Sequence, residues 1–200
     1  MKAIAILTTT ATILLGSLSA GAQRIKTVEG NPMILKGEQS VNVELTFENV
    51  SVGKFSSERD YITKKTAEYN AKEPGKGDAW AKSWELDKET RYKPKFIELF
   101  TINSGGIQVN SNSKYTLIFK TKSIEPGYNF AGGMMMGGRK NSEIDAEVWI
   151  VETENRDRRL AVITIDNAEG GNYFGYDYDT GLRIAEAYAM SGKKLAKYMR

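Results

Sequence analysis

Alternation of apolar and polar residues predicts the strands of this chain. The pattern occurs at 41–47, 115–120 and 144–150, each bounded by turn residues. Residues 160–165 are apolar apart from Thr164, which is typical of a central strand covered on both faces. The polar segment 152–159 between the last two strands predicts an antiparallel hairpin.

Helical spacing predicts the remaining elements. Ser56-Ser57 provides caps for a helix that runs to about Lys72. Asp78 is a suitable N-cap for a second helix, which carries Trp80 and Trp84 four residues apart on one face. Tryptophans in helices are usually buried, so we expect both to anchor the core.

Two further helical segments follow. Pro94 suits the first turn of a third helical piece, which residues 103–106 end. Residues 181–200 form the last predicted helix, with an apolar stripe and a basic C-terminal end. We expect Gly192 to be its weak point, because glycine destabilises helix interiors.

The element order β-α-α-β-β-β-α predicts an α+β fold. We expect a two-layer sandwich, in which helices pack on a mixed, mainly antiparallel sheet of about four strands. Residues 41–200 are predicted to form a single domain. The polar residues 23–40 before it are predicted to be an irregular arm.

The first 22 residues have the features of a signal peptide. Lys2 is followed by an apolar, threonine-rich run, and Ser19 to Ala22 supplies the small residues of a cleavage site. The run is too short for a membrane span of about 20 apolar residues. We therefore predict cleavage near Ala22 and an exported protein, periplasmic or secreted.

Composition excludes several kinds of chemistry. The chain contains no cysteine and no histidine. It therefore has no Ser-His-Asp triad, thiol nucleophile, disulfide or lipid-carrying cysteine, and it lacks the usual zinc ligands. We predict no cofactor, no stable membrane anchor and no enzymatic activity. The net charge is +3 with both signs interspersed, so no nucleic-acid partner is expected.

Several segments together resemble a known group of proteins. They are the run from Trp80 to Phe100, the strand residues 115–117 that lead into 124–128, the glycine-rich loop described below and the closing helix around 192–196. They resemble a family of exported bacterial domains of unknown function. Its members are similar to the periplasmic anticodon-binding-like α/β domains of envelope and curli-secretion lipoproteins.

The resemblance covers about Val41 to Arg200. It implies an envelope location and a non-catalytic binding or assembly role, and it implies no catalytic residue. We accordingly expect an unidentified envelope protein or glycan as the partner and leave the oligomeric state open. The chain differs from the lipoproteins because it has no cysteine to carry a lipid.

The candidate partner-contact site is a glycine- and methionine-rich loop. It consists of Gly132, Gly133, Met134, Met135, Met136, Gly137 and Gly138. Three thioethers are soft ligands for Cu(I), but neighbouring side chains of an extended chain point in opposite directions and no histidine assists them. We predict a hairpin loop or an adaptable apolar contact for a partner, with no metal.

Residues 175–181 invite a calcium interpretation, which the spacing does not support. An EF-hand needs an oxygen ligand at its fifth position and glutamate at its twelfth, whereas this segment has Gly181 and Tyr188 there. We predict that Asp179 or Thr180 caps the last helix.

Paired carboxylates are the remaining catalytic option. Asp145 and Glu147 share one face of a predicted strand, and Asp166 or Glu169 approaches from the next one. The alternative function is therefore a carboxylate-dependent hydrolase of envelope polysaccharide. Against it, the sequence shows no recognisable aromatic-lined cleft.

Overall fold

The computed structural model describes residues 23–130, 138–171 and 179–200. Within these ranges the strands are β1 (Arg24–Gly30), β2 (Ser40–Thr46), β3 (Ser51–Val52), β4 (Gln108–Val109), β5 (Tyr115–Glu125), β6 (Tyr128–Phe130), β7 (Gly138–Lys140), β8 (Glu143–Glu152) and β9 (Asn155–Glu169). The helices are α1 (Glu58–Asn70), α2 (Lys76–Asp87), α3 (Lys93–Asn103) and α4 (Thr180–Tyr198). A π-helical turn, Lys88–Tyr92, joins α2 to α3 without a break in helical backbone geometry.

Seven strands of the described ranges form one mixed sheet. Their order is β1-β9-β8-β5-β2-β4, and β3 continues beside β5 after β2 has ended. β2 runs parallel to β5, whereas β5, β8, β9 and β1 pair antiparallel in succession. The fold is α+β, as predicted, but the sheet has seven strands instead of about four. The four long predicted strands are present as β2, β5, β8 and β9.

The core lies between the sheet and helices α3 and α4. On β5, the ring of Phe119 lies 5.0 Å from that of Phe96 in α3 and 5.7 Å from that of Tyr188 in α4. Val148 of β8 and Ile163 of β9 are fully buried on the same face of the sheet. Alternation of this kind predicted β2, β5 and β8, whereas β9 was predicted from its continuous apolar run.

The opposite face of the sheet carries charged residues around one tryptophan. The ring of Trp149 lies 3.9 Å from Nζ of Lys120 and 5.1 Å from the guanidinium carbon of Arg159. Val162, on the strand beside it, is only 4% exposed. The apolar run at 160–165 is thus buried on both faces, although its strand β9 is second from the edge of the sheet.

Gly192 is a close-packing residue rather than a weak point of α4. A Cβ atom at this position would lie 2.3 Å from the carbonyl oxygen of Phe96 and 3.3 Å from the backbone nitrogen of Phe100. The absence of a side chain lets α4 approach the backbone of α3 directly. The expectation that Gly192 weakens the helix is therefore wrong.

Residues 23–40 are not an irregular arm. Residues 24–30 form β1, which pairs antiparallel with β9 at the edge of the sheet, and 32–35 form a 3-10 turn. The prediction failed because most β1 side chains are exposed, so the segment shows little apolar alternation. The hairpin between β8 and β9 is confirmed, with a turn at residues 153–154 that is shorter than predicted.

The helix caps are partly as predicted. The side chain of Ser57 accepts from the backbone N–H of Asp60 and begins α1. Asp78 does not begin α2, which starts at Lys76 after Gly75, a glycine in the left-handed region (φ 81°). Asp78 instead lies in the first turn, where a negative charge favours the helix dipole.

In the part of the chain that the structure describes, no helix has both the length and the apolar character required to cross a bilayer.

Candidate functional site

Helices α1 and α2 bring five aromatic side chains together. Tyr61 and Tyr69 lie on α1, Trp80 and Trp84 on α2, and Phe55 precedes α1. Neighbouring ring centroids are 5.1 to 5.9 Å apart, in tilted or edge-to-face arrangements. These are the favourable geometries for aromatic pairs.

The two tryptophans of this cluster have different roles. Trp84 is 3% exposed, and its Nε1 donates to Oε1 of Glu58 at 2.7 Å. Lys88 donates to the other oxygen of Glu58 at 2.9 Å, which holds that carboxylate in place. Trp84 is a core anchor, as predicted. Trp80 is partly exposed and faces a depression in the surface.

We define the aromatic groove as two adjoining depressions that share Tyr69, Trp80 and Thr180 in their walls. The first has a volume of about 350 Å³ and is lined by residues 52–55, by α1 and by Glu125–Gly127. The second has a volume of about 320 Å³ and reaches Ser83, Trp84 and the start of α4. The structure therefore contains an aromatic-lined groove that was not recognisable from the sequence.

A charged triad forms one end of the aromatic groove. Nε of Arg91 lies 3.0 Å from Oδ1 of Asp87, and its NH1 lies 2.8 Å from Oδ2 of Asp179. The π-helical turn widens the helix between Asp87 and Arg91, a feature frequently found at functional sites. The other oxygen of Asp87 rests against Gly181, where a Cβ would lie only 2.0 Å from it.

The two carboxyl groups of the triad differ in acidity. Burial raises the pKa of Asp87 above its ordinary value of 3.8, although Arg91 opposes this shift. Burial also acts to raise the pKa of Asp179, but the hydrogen bond and charge of Arg91 outweigh it, and the net pKa is lowered. Asp179 also accepts from the backbone N–H groups of Gly181 and Leu182. It caps α4, as predicted.

Lysine side chains surround the other end of the aromatic groove. Nζ of Lys54 and Nζ of Lys64 lie 5.9 and 5.8 Å from the centroid of the Phe55 ring. Lys65 lines the groove and pairs with Glu68 at 2.9 Å, and Lys64 lies 3.8 Å from the same carboxylate. Among the described residues, Lys54 has no carboxylate within ion-pair distance.

The carboxylates singled out from the sequence do not line this groove. Asp145 accepts from Ser123 Oγ at 2.6 Å and from the backbone N–H of Asn167 at 2.8 Å. Glu147 accepts from the indole N–H of Trp149, and Glu169 accepts from Asn141 at 2.8 Å. Asp166 lies opposite Arg24 in the β1–β9 ladder. Asp145, Glu147 and Glu169 therefore accept hydrogen bonds within the sheet and its connections.

The glycine- and methionine-rich loop falls mostly beyond the described residues. Gly132, Gly133, Met134, Met135, Met136 and Gly137 lie outside them, as do residues 172–178. Gly138 begins β7 and lies opposite Phe130 of β6 in an antiparallel ladder, which is the pairing that a hairpin requires. The proposed partner contact at this loop stays a prediction.

Two further observations concern other sites on the described surface. A depression of about 700 Å³ lies among turn residues 111–114 and 152–154, whose side chains are polar and include no aromatic ring. We assign it no function, because ligand sites combine apolar walls with a few directed polar groups.

Within residues 23–130, 138–171 and 179–200, no three Asp or Glu side chains are grouped so as to hold a metal ion.

Comparison with known proteins leaves the family of this chain open. No protein-family model and no curated protein matches it. The solved structures that align with it include the PelC dodecamer from Paraburkholderia phytofirmans and a single-residue variant of that protein. Each is 9% identical to this chain, and each alignment covers 84% of this chain and 96% of the matched chain. The TM-scores are 0.36 and 0.34. These values are too low to carry an argument, so the resemblance to anticodon-binding-like domains stays a prediction.

Proposed function

We propose that this protein is exported to the cell envelope and acts as a non-catalytic binding or assembly module whose ligand site is the aromatic groove. One observation carries the proposal: Trp80 and Tyr69 are partly exposed in the walls of a concave site that has charged groups at both ends. Apolar walls with a few directed polar groups are typical of ligand sites. Export is supported by the leader-like residues 1–22.

The contacts of the triad favour binding over catalysis. Arg91 lies within hydrogen-bond distance of both carboxylates, and Asp179 also receives two backbone N–H groups of α4. A catalytic carboxyl must present a free oxygen to the reacting bond and change its proton during the reaction. Groups held in this way position the walls of the groove and offer hydrogen bonds to a ligand.

The proposal is tested by the binding of envelope polysaccharide and envelope protein fractions to purified variants. Trp80→Ala should weaken capture of the ligand tenfold or more, because aromatic residues at the centre of a binding site typically contribute about 2 kcal/mol or more. Trp149→Ala is the matched control, since this tryptophan lies on the opposite face of the sheet. Equal capture by the wild-type protein and Trp80→Ala contradicts the proposal.

Because Trp80 also contacts the rings of Tyr61 and Trp84, its replacement affects packing. Tyr69→Ala, in the wall that the two depressions share, serves as a second variant, and circular dichroism of each variant verifies folding. A folded Tyr69→Ala protein that binds as the wild type does also counts against the groove.

The second candidate function is a hydrolase of envelope polysaccharide. It is favoured by one observation: Asp87 and Asp179 lie in one depression beside Trp80, and their pKa values are shifted in opposite directions. Such a divergence is the pattern of an acid and a base in glycoside hydrolysis. The release of reducing ends by the wild-type protein, abolished in Asp87→Asn, would replace the binding module with this function.

A further inference from the structure

The aromatic groove carries opposite charges at its two ends. At one end, Lys64 and Lys65 share the carboxylate of Glu68, and Lys54 lies over the ring of Phe55 with no described carboxylate within ion-pair distance. Glu125 also lines this end, but Lys140 neutralises it at 3.1 Å. An excess of positive charge therefore remains beside the ring of Phe55.

At the other end the balance is reversed. Asp87 and Asp179 share the single guanidinium of Arg91, so one negative charge is left over when both carboxyls are ionised. Asp179 is the more accessible of the two, with 43% of its side chain exposed. Its oxygens are hydrogen-bond acceptors, which suit hydroxyl or amide donors of a ligand. Between the two ends lie Tyr69 and Trp80.

We propose that the ligand of the aromatic groove is a segment of an acidic glycan, one that carries carboxylated sugars. This inference rests on the proposed function. A pyranose ring has an apolar face of C–H groups and a rim of hydroxyls. The face suits the partly exposed rings of Trp80 and Tyr69, and the hydroxyls suit Asp179 and Ser83. The sugar carboxylate then meets Lys54 and Lys65.

Charge complementarity distinguishes this ligand from the alternatives. No described carboxylate lies within ion-pair distance of Lys54, so a neutral glycan would leave this lysine without an anionic partner. An acidic peptide satisfies the lysines, but it has no ring face for Trp80 and Tyr69 to stack on. An acidic glycan uses both the aromatic walls and the lysines.

The probe is an oligogalacturonate, measured by isothermal titration against its carboxyl-reduced counterpart and against a poly-glutamate peptide. The reduced oligomer has the same linkages and ring faces but no charge. We expect the acidic oligomer to bind more tightly than either control and to lose affinity as salt rises. Lys54→Gln/Lys65→Gln should weaken the affinity for the acidic oligomer by about fivefold or more and leave the affinity for the reduced oligomer unchanged.

Lys26→Gln is the matched control variant, because Lys26 is an exposed residue of β1 away from the groove. Equal affinity for the acidic and reduced oligomers overturns the proposal that the ligand is acidic, while leaving the groove as a glycan site. Equal affinity for poly-glutamate shows a general polyanion site and overturns the proposal that the ligand is a glycan. If no oligomer binds, and Trp80→Ala binds the envelope ligand as well as the wild type does, the proposed function itself fails.

Discussion

Gly192→Ala should destabilise the protein, although the usual effect of this change in a helix is the opposite. In the interior of α4, alanine is favoured over glycine by about 1 kcal/mol from helix propensity alone. Against this gain, the added Cβ would lie 2.3 Å from the carbonyl oxygen of Phe96, whereas ordinary contact begins at 3.4 Å. The obstructing atom is backbone and cannot rotate away.

The size of this destabilisation follows from the displacement of α4 that the added Cβ requires. Helix α4 has to withdraw from α3 by about 1 Å, which disturbs the packing of the fully buried rings of Phe96, Phe100 and Tyr188. Overpacking typically costs about 1–3 kcal/mol, and backbone clashes lie at the upper end. The net loss should be about 2 kcal/mol, which lowers the Tm by about 4–8 °C in a domain of this size.

Urea and thermal unfolding followed by circular dichroism measure this effect. Thr63→Ala is the control, because Thr63 is exposed on α1 and the change alters helix propensity with little change in packing. The control should be slightly more stable than the wild type. If Gly192→Ala is also stabilised, the close approach of α3 and α4 is refuted.

Three further predictions concern stability. Trp84→Ala should cost about 3–5 kcal/mol in urea unfolding, because the side chain is buried, and Trp80→Ala should cost clearly less. Asp179→Asn keeps the helix cap but removes the carboxylate whose pKa Arg91 lowers. It should reduce stability at pH 7, and the difference from the wild type should close as the pH falls below 3.8. An unchanged difference at low pH would contradict that account. Arg156→Ala breaks an exposed ion pair with Glu44, so it should cost less than about 1 kcal/mol, and a larger loss would show a structural role for the pair.

The fold was predictable where the sequence has strong periodicity. The strands β2, β5, β8 and β9 alternate apolar residues or bury them on both faces, and each was placed correctly. β1 was missed because it is an exposed edge strand, and the two-residue strands β3 and β4 are too short to show a period. Gly192 was misjudged because propensity describes an isolated helix, whereas its role depends on a neighbour distant in sequence.

The candidate site was less predictable than the fold. Tyr61, Lys65 and Tyr69 recur every four residues on α1, and Trp80 and Trp84 do so on α2. This spacing was a usable signal for two facing aromatic stripes, but it is equally typical of a buried core. Only the packing of α1 against α2 shows that Trp80 is partly exposed. The triad could not be foreseen, because Asp179 is 88 residues from Arg91.

The most direct test of the central claim uses the tryptophans themselves. The chain has three, so its ¹⁵N-correlated NMR spectrum contains three indole N–H signals, which single Trp→Phe variants assign. During titration with envelope polysaccharide fragments, we expect the signal of Trp80 to shift most, that of Trp84 to shift less, and that of Trp149 to remain in place. A shift of Trp149 with Trp80 unchanged would place the ligand on the opposite face of the sheet and contradict the account.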